Sequence, residues 1–381
     1  MSIRVKRLLY QLHKYLGLTA GAILSLSALT GGLLVFSDEL ERVLHPELQR
    51  VEPGGAHAPL EALIAQARTA YPQGRPAFLR LPRSESGTVE VYMNTKDGPR
   101  VYLDPYRAMV LGVRESHETF KGFVLALHTQ LFAREAGKTV VGLAGLSLVV
   151  LALSGIVLWW SGWRRVLRSL KIRWCQSWSH KCYDLHKAVG VMSLPFLLLS
   201  ALTGVALVFH DAFMRALFQM TKTSQPVPPE RVTVVGSALT LDEVVQRAQA
   251  ALPEGRVTWI HLPMSADQPV IVRKKLPEEV HPNGCNFVYI DPYRGDILFV
   301  RPSRTAPLGI RIDNLIYPLH IGVIGGLVTQ VIQVTVGLVL ALLFVTALAV
   351  WVRRSRSTAQ RFSVQQIWGR RPRRSATGPK P

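Results

Sequence analysis

The sequence predicts a membrane protein: four transmembrane α-helices in two parallel pseudo-symmetric repeats, with two periplasmic α+β modules. Three observations carry this. Four apolar runs, roughly 16–36, 139–160, 188–209 and 327–351, each match the ~20 residues a helix needs to cross a hydrocarbon core. The basic residues gather on one side of those runs. And the second half of the chain is written over the first.

The runs set the order of segments. An N-terminal segment and first span occupy 1–37, a first external module 38–138, and a second span 139–160. A basic loop follows at 161–187, then a third span at 188–209. The second external module is 210–326, the fourth span 327–352 and a basic tail 353–381. The first run is read as a retained helix and not a cleaved signal, because "SDELERVLHP" follows it without a small-residue cleavage site.

The formal net charge is +20. A nucleic-acid partner would use such charge, but its placement argues for a membrane. The N-terminus, the 161–187 loop and the tail together hold 20 Lys and Arg and one acid, Asp184. The rest of the chain is nearly balanced, with 25 basic and 24 acidic residues. By the positive-inside rule both termini are cytoplasmic, and the chain is a multi-pass protein of a bacterial inner membrane. The tail reads as a disordered segment attracted to anionic lipid. Trp159, Trp160 and Trp163 read as an interfacial aromatic belt. Cys175, Cys182 and Cys285 form neither a CxxC nor a CxxCH pattern, so neither a zinc ribbon nor covalent haem attachment is signalled.

The duplication runs the length of the chain. "LHKYLGLTAGAILSLSALTGGLLVF" (12–36) returns as "LHKAVGVMSLPFLLLSALTGVALVF" (185–209) at an offset of 173. "AYPQGRPAFLRLP" (70–82) matches "ALPEGRVTWIHLP" (251–263), and "VYLDPYRAMVLGVR" (101–114) matches "VYIDPYRGDILFVR" (288–301). "LH" at 127–128 matches "LH" at 319–320. Each repeat starts and ends on the same side, so matched residues face each other across an axis along the membrane normal. Each external segment opens with an amphipathic helical pattern ("PLEALIAQARTAY", "LDEVVQRAQAAL") followed by alternating strands. The "DPYRG"-like pieces suit hairpin turns; a substrate role for Tyr106, Arg107, Tyr293 and Arg294 is the sharper alternative.

Four of the eleven histidines obey the duplication: His13 with His186, and His128 with His320. The first pair lies at the cytoplasmic mouths of the first and third spans, the second on the outer side before the second and fourth. Two imidazoles converging from opposite sides suit axial ligation of a haem iron, which closes the iron to oxygen and favours electron transfer. Structural zinc wants four ligands, and no Cys or acid cluster accompanies the pairs. Contact with headgroups is the bland alternative. Stepping from His13 by three and four gives Gly17, Ala20, Leu24, Ser27 and Gly31; from His186, Gly190, Ser193, Leu197, Ser200 and Gly204. Such small residues leave room for a flat macrocycle or for close helix packing. His210 is an alternative outer ligand. Lys14 and Lys187 could pair with propionates or anchor the interface, and Gln330 and Gln333 could bond helix to helix or reach a propionate.

These motifs, in order and twice over, resemble the PepSY-associated transmembrane family across nearly the whole chain, and within it the FoxB-type ferrioxamine reductases. The resemblance implies an inner-membrane protein with haem b, two per chain, axially held by His13, His186, His128 and His320. It further implies that electrons pass outward to a ferric siderophore in the periplasm, releasing Fe(II), from a cytoplasmic or quinol donor. It names no catalytic acid or base. Alternatives from other classes are a haem-free scaffold or peptidase regulator, and a siderophore transporter. The transporter predicts polar groups at mid-membrane, of which the sequence has few.

Overall fold

The computed structural model describes residues 2–95, 98–160, 170–224, 227–229 and 231–368. Among the described residues four helices are long and apolar enough to cross a membrane: α1 (Ile3–Val35), α6 (Arg134–Trp159), α7 (Trp178–Val208) and α11 (Gly326–Trp368, of which Gly326–Ser355 qualifies). α1 packs on α6 and α11, and α7 packs on the same two, so the four close into a ring with α1 diagonal to α7.

The helices outrun the apolar stretches. α1 begins at Ile3, with the Ser2 side chain accepting from the backbone N–H of Val5, because the basic lead-in carries no helix breaker. α7 likewise begins at Trp178, inside the segment read as a loop. The segment read as a disordered tail continues α11 to Trp368; no Pro or Gly interrupts it before Gly369. Residues 161–169 of the basic loop, with Trp163, and 369–381 of the tail lie outside the described residues.

Between the spans the chain builds short helices and one sheet. α2 (Ser37–Leu44), α3 (Pro46–Gln49) and α4 (Leu60–Ala70) precede β1 (Arg75–Arg80), β2 (Val89–Asn94), β3 (Arg100–Leu103) and β4 (Val110–Arg114); α5 (Phe120–Gln130) then leads into α6. After α7 the pattern returns: α8 (His210–Thr221), α9 (Leu241–Ala251), β5 (Arg256–His261), β6 (Val270–Lys275), β7 (Asn286–Ile290), β8 (Ile297–Arg301) and α10 (Leu308–Ile321). The sequence suggests two separate modules. The structure joins them into a single eight-stranded antiparallel sheet, β4-β3-β2-β1-β5-β6-β7-β8.

The junction is β1 on β5, where Leu79 pairs with Ile260, its own match at an offset of 181. The paired helices exchange caps in the same way. The backbone N–H of Leu60 donates to Asp242 Oδ2 (2.9 Å), and that of Leu241 donates to Glu61 Oε1. One face of the sheet meets α4 and α9 through a core that includes Leu63, Leu79, Val91, Val244, Ile260 and Val288. The other face, which carries Glu90, Tyr92, Arg100, Arg273 and Arg301, turns toward α2, α5 and α10. Both "DPYRG"-like segments are Asx turns. Asp104 accepts from the N–H of Tyr106 (2.8 Å) and Arg107 (3.1 Å), and Asp291 from Tyr293 (2.8 Å) and Arg294 (3.2 Å). The turn reading of these residues therefore has a structural basis.

Candidate functional site

The four matched histidines come together in two pairs. His13 on α1 and His186 on α7 lie with ring centres 6.4 Å apart at the end of the bundle that carries the termini. His128 on α5 and His320 on α10 lie 6.2 Å apart at the sheet end. The His128 ring meets α1 at Ser27 and Thr30, so the two pairs are separated by roughly 14 to 17 helical residues, about 21–26 Å.

Each ring is fixed through Nδ1 by its own half of the chain. His13 Nδ1 bonds Ser154 Oγ on α6 at 2.8 Å. His186 Nδ1 bonds the Leu343 carbonyl (2.9 Å) and Thr346 Oγ1 (3.1 Å) on α11. His128 Nδ1 bonds the Ser27 carbonyl (2.7 Å) and is 3.4 Å from Thr30 Oγ1 on α1; His320 Nδ1 bonds Thr203 Oγ1 on α7 at 3.0 Å. The supports match as the histidines do: Ser154 with Thr346 at 192, and Thr30 with Thr203 at 173. Anchoring is thus within a repeat, and pairing is between repeats.

This arrangement leaves Nε2 of each ring for another partner. Fixing one nitrogen by a hydrogen bond selects the tautomer and turns the other into a metal ligand. An imidazole nitrogen lies about 2 Å from a first-row metal, and the ring centre roughly 1 Å further back. Two rings on opposite sides of one ion therefore have centres about 6 Å apart, which both pairs meet. No group of three or more His, Cys, Asp or Glu that could hold a metal ion occurs among the described residues. Each pair supplies two donors, which suits an ion whose remaining ligands come from a macrocycle. Ser27 Oγ is buried beside the outer pair without a hydrogen-bond partner.

Residues 10–354 match the family described as the PepSY-associated TM region. The chain belongs to this family. An uncharacterised protein of Pseudomonas aeruginosa is similar over 111 residues at 35% identity, 29% of this chain. The chain spans 27% of the length of that curated relative.

Within this PepSY-associated framework the small residues of the histidine faces acquire specific neighbours. A Cβ on Gly31 would stand 2.9 Å from His128 Cε1, and one on Gly204 3.1 Å from His320 Cε1. One on Gly155 would stand 3.4 Å from His13 Cε1. Gly17 and Gly190 face Leu151 and Leu343. The glycines of "SALTG" thus let an imidazole lie against the helix. Thr30 and Thr203 lie inside the matched "SALTG" segments, but steps of three and four from the histidines pass over them. Ser154 and Thr346 carried a signal too, two hydroxyls at the offset of the "LH" pair, that the sequence reading passed over.

The other candidates lie elsewhere. His210 Nε2 pairs with Asp313 Oδ1 at 2.9 Å. Lys187 reaches Asp184 (3.3 Å), which also holds Arg173, and Lys14 lies over the Tyr15 ring. Gln333 bonds Ser200, joining α11 to α7. On the sheet side Asp38 binds Lys121, Arg80 (3.3 Å) and Arg83 (3.3 Å). Burial alone would raise the Asp38 carboxyl; Lys121 and Arg80 override it and hold the group well below the usual carboxylate range.

Proposed function

We propose that this chain is a transmembrane electron conduit of the inner membrane. It carries one b-type haem on His13 and His186 and a second on His128 and His320, and it reduces a ferric, ferrioxamine-like siderophore in the periplasm to release Fe(II). The observation that carries this reading is the geometry of the two pairs: Nδ1 engaged within the repeat, Nε2 without a hydrogen-bond partner among the described residues, ring centres 6.4 and 6.2 Å apart. A haem held by His13 and His186, or by His128 and His320, would supply one-electron transfer.

The residues of the chain supply position and insulation. Ser154, Thr346, Thr203 and the carbonyls of Ser27 and Leu343 orient the rings and raise the basicity of Nε2. Between the pairs, Leu24, Ala144, Leu148 and Ala201 form one buried apolar cluster, and Leu197, Val336 and Leu343 another. They keep water out of the space that separates the two ends. The matched registers at Leu79/Ile260 and at both histidine pairs support a pseudo-two-fold relation between two repeats, with the sheet as two periplasmic modules. In that orientation a quinol or cytoplasmic donor delivers electrons at the termini end. One electron converts one ferric ion to ferrous, and hard oxygen ligands such as hydroxamates hold iron(II) far less well, so release follows.

The test is anaerobic stopped-flow mixing of the reduced protein with a ferric hydroxamate chelate, with a ferrous-specific dye present. Oxidation of the protein with one Fe(II) captured per electron is expected. Reduced protein that stays reduced in excess chelate would contradict the reading.

A further inference from the structure

The two halves of the sheet present different charge arrangements to the bundle. On the first half each cation near α2 has a carboxylate. Arg80 meets Glu90 (2.9 Å) and Asp38, Arg100 meets Glu90 (3.8 Å), Arg114 meets Glu41 (3.7 Å), and Lys121 meets Asp38. On the second half Arg301 is the match of Arg114 at an offset of 187. Yet the positions that match Glu41 and Glu90 are Met214 and Ile271. Among the described residues neither Arg273 nor Arg301 has a carboxylate partner.

Both guanidinium groups crowd one ring. Arg301 lies 4.2 Å and Arg273 5.1 Å from the centre of Phe287. Arg301 Nε is buried without a hydrogen-bond partner. Arg273 donates Nε (2.9 Å) and Nη2 (2.7 Å) to the Gly284 carbonyl. Nearby acids are engaged elsewhere: Asp313 by His210, and Glu279 by the N–H groups of Leu276 and Cys285 and the Asn286 amide. Burial, then Arg273, pushes His281 down to about 3, and burial pushes the Cys285 thiol up to about 11, so near neutral pH the ring is neutral and the thiol stays protonated. Arg273 is desolvated with Arg301 beside it and no carboxylate in direct contact, and an anion placed between the two would relieve their repulsion.

A cavity of about 180 Å³ opens between these arginines and Leu207, Asp313 and Tyr317. Tyr317 lies three residues before His320 on the same face of α10, and Leu207 is one turn beyond Thr203, which holds the His320 ring. The cavity therefore adjoins the outer histidine pair on its sheet side.

We propose that Arg273 and Arg301 form an oxyanion site that takes a carboxylate. The cavity is below the ~300–1,000 Å³ of whole-ligand pockets, so it receives one carboxylate-bearing arm and not an entire chelate. Two sources share this chemistry: an acidic arm of the group held by His128 and His320, and a free carboxylate of an external ferric chelate. Choosing between them rests on the proposed function; the site itself does not.

The experiment titrates the full-length protein, prepared without and with haem, with citrate at constant ionic strength, reading the thermal midpoint and tryptophan fluorescence. In the haem-free chain a saturable response is expected, weakened at least about tenfold in Arg273→Gln/Arg301→Gln, as the loss of charge-assisted bonds implies. Met214→Glu restores an acid at the position that matches Glu41, the carboxylate that meets Arg114 in the first repeat. It should suppress the response while leaving the midpoint without citrate unchanged or higher, and so serves as the folding control. Loss of the citrate response on haem loading assigns the site to the bound group's own arm; persistence assigns it to an external chelate. Equal responses in the wild type, the double variant and Met214→Glu would overturn the site. If the protein takes up no haem, the haem-free titration still decides this proposal, and only the conduit reading falls.

Discussion

The first and second halves of the chain hold their histidines alike and treat the space above them differently. In both, an imidazole is fixed through Nδ1 by a hydroxyl or carbonyl of the same repeat and faces its match in the other. Between sheet and bundle, the first half has a network in which Asp38, Glu41 and Glu90 are shared among five cations, whereas the second has Arg273 and Arg301 around Phe287 without a carboxylate in contact among the described residues. Where both halves agree, the chemistry needs two equivalent contributors. Where they differ, one half is free to brace the structure and the other to receive a ligand.

The sharpest way to break that comparison is to remove one histidine pair at a time. The conduit reading predicts that His128→Ala/His320→Ala lowers reduction of a ferric hydroxamate chelate by more than about 100-fold. His13→Ala/His186→Ala should stop delivery from the donor yet leave a chemically reduced protein able to pass electrons to the chelate. Stopped-flow absorbance separates these outcomes. Equal behaviour of the two variants would end the assignment of different ends to the two pairs.

A smaller effect is expected from the bracing network. Asp38→Asn leaves Lys121, Arg80 and Arg83 without their shared carboxylate, at about 2 kcal/mol given its partial exposure. Because the folded carboxyl is held below its ordinary value near 3.9, its contribution is complete above about pH 4 and drains away as the pH falls further. Thermal midpoints of wild type and variant should therefore differ at pH 7 and draw together as the pH falls below about 4. A gap that widens on acidification would contradict the assignment.

The glycines offer a graded test. Gly31→Ala, Gly204→Ala and Gly155→Ala place a Cβ at 2.9, 3.1 and 3.4 Å from the histidine rings. Overpacking should cost about 1–2 kcal/mol at Gly31, less at Gly204 and least at Gly155. The same order should appear in the loss of haem, read from haem-to-protein ratios. The smallest effect belongs to Ser154→Ala and Thr346→Ala, about 1 kcal/mol each, read as a shift in the midpoint potential of the inner group alone. A shift in the outer group would show that the supports are not local.

Much of this was legible in the sequence because duplication supplies an internal comparison. The offsets at His13/His186 and His128/His320 named both pairs, and apolar length named the four spans. The sheet junction was not legible: nothing in "AFLRLP" or "TWIHLP" says that these strands pair with each other across repeats. The helix ends lie beyond the apolar runs because hydropathy stops where the apolar core stops, while a basic helix without Gly or Pro runs on, as α11 does to Trp368. The arginine cavity escaped because its signal is negative: Met214 and Ile271 stand where the other half has acids, and this matters only once Arg273 and Arg301 meet at Phe287.

The central claim is that each histidine pair holds one haem. The most direct measurement is the reduced-minus-oxidised absorption spectrum of the purified wild-type protein, made with ample haem supply, with haem and protein quantified on the same sample. The account predicts a six-coordinate, b-type spectrum at two haems per chain. Protein that folds and carries no haem would contradict it.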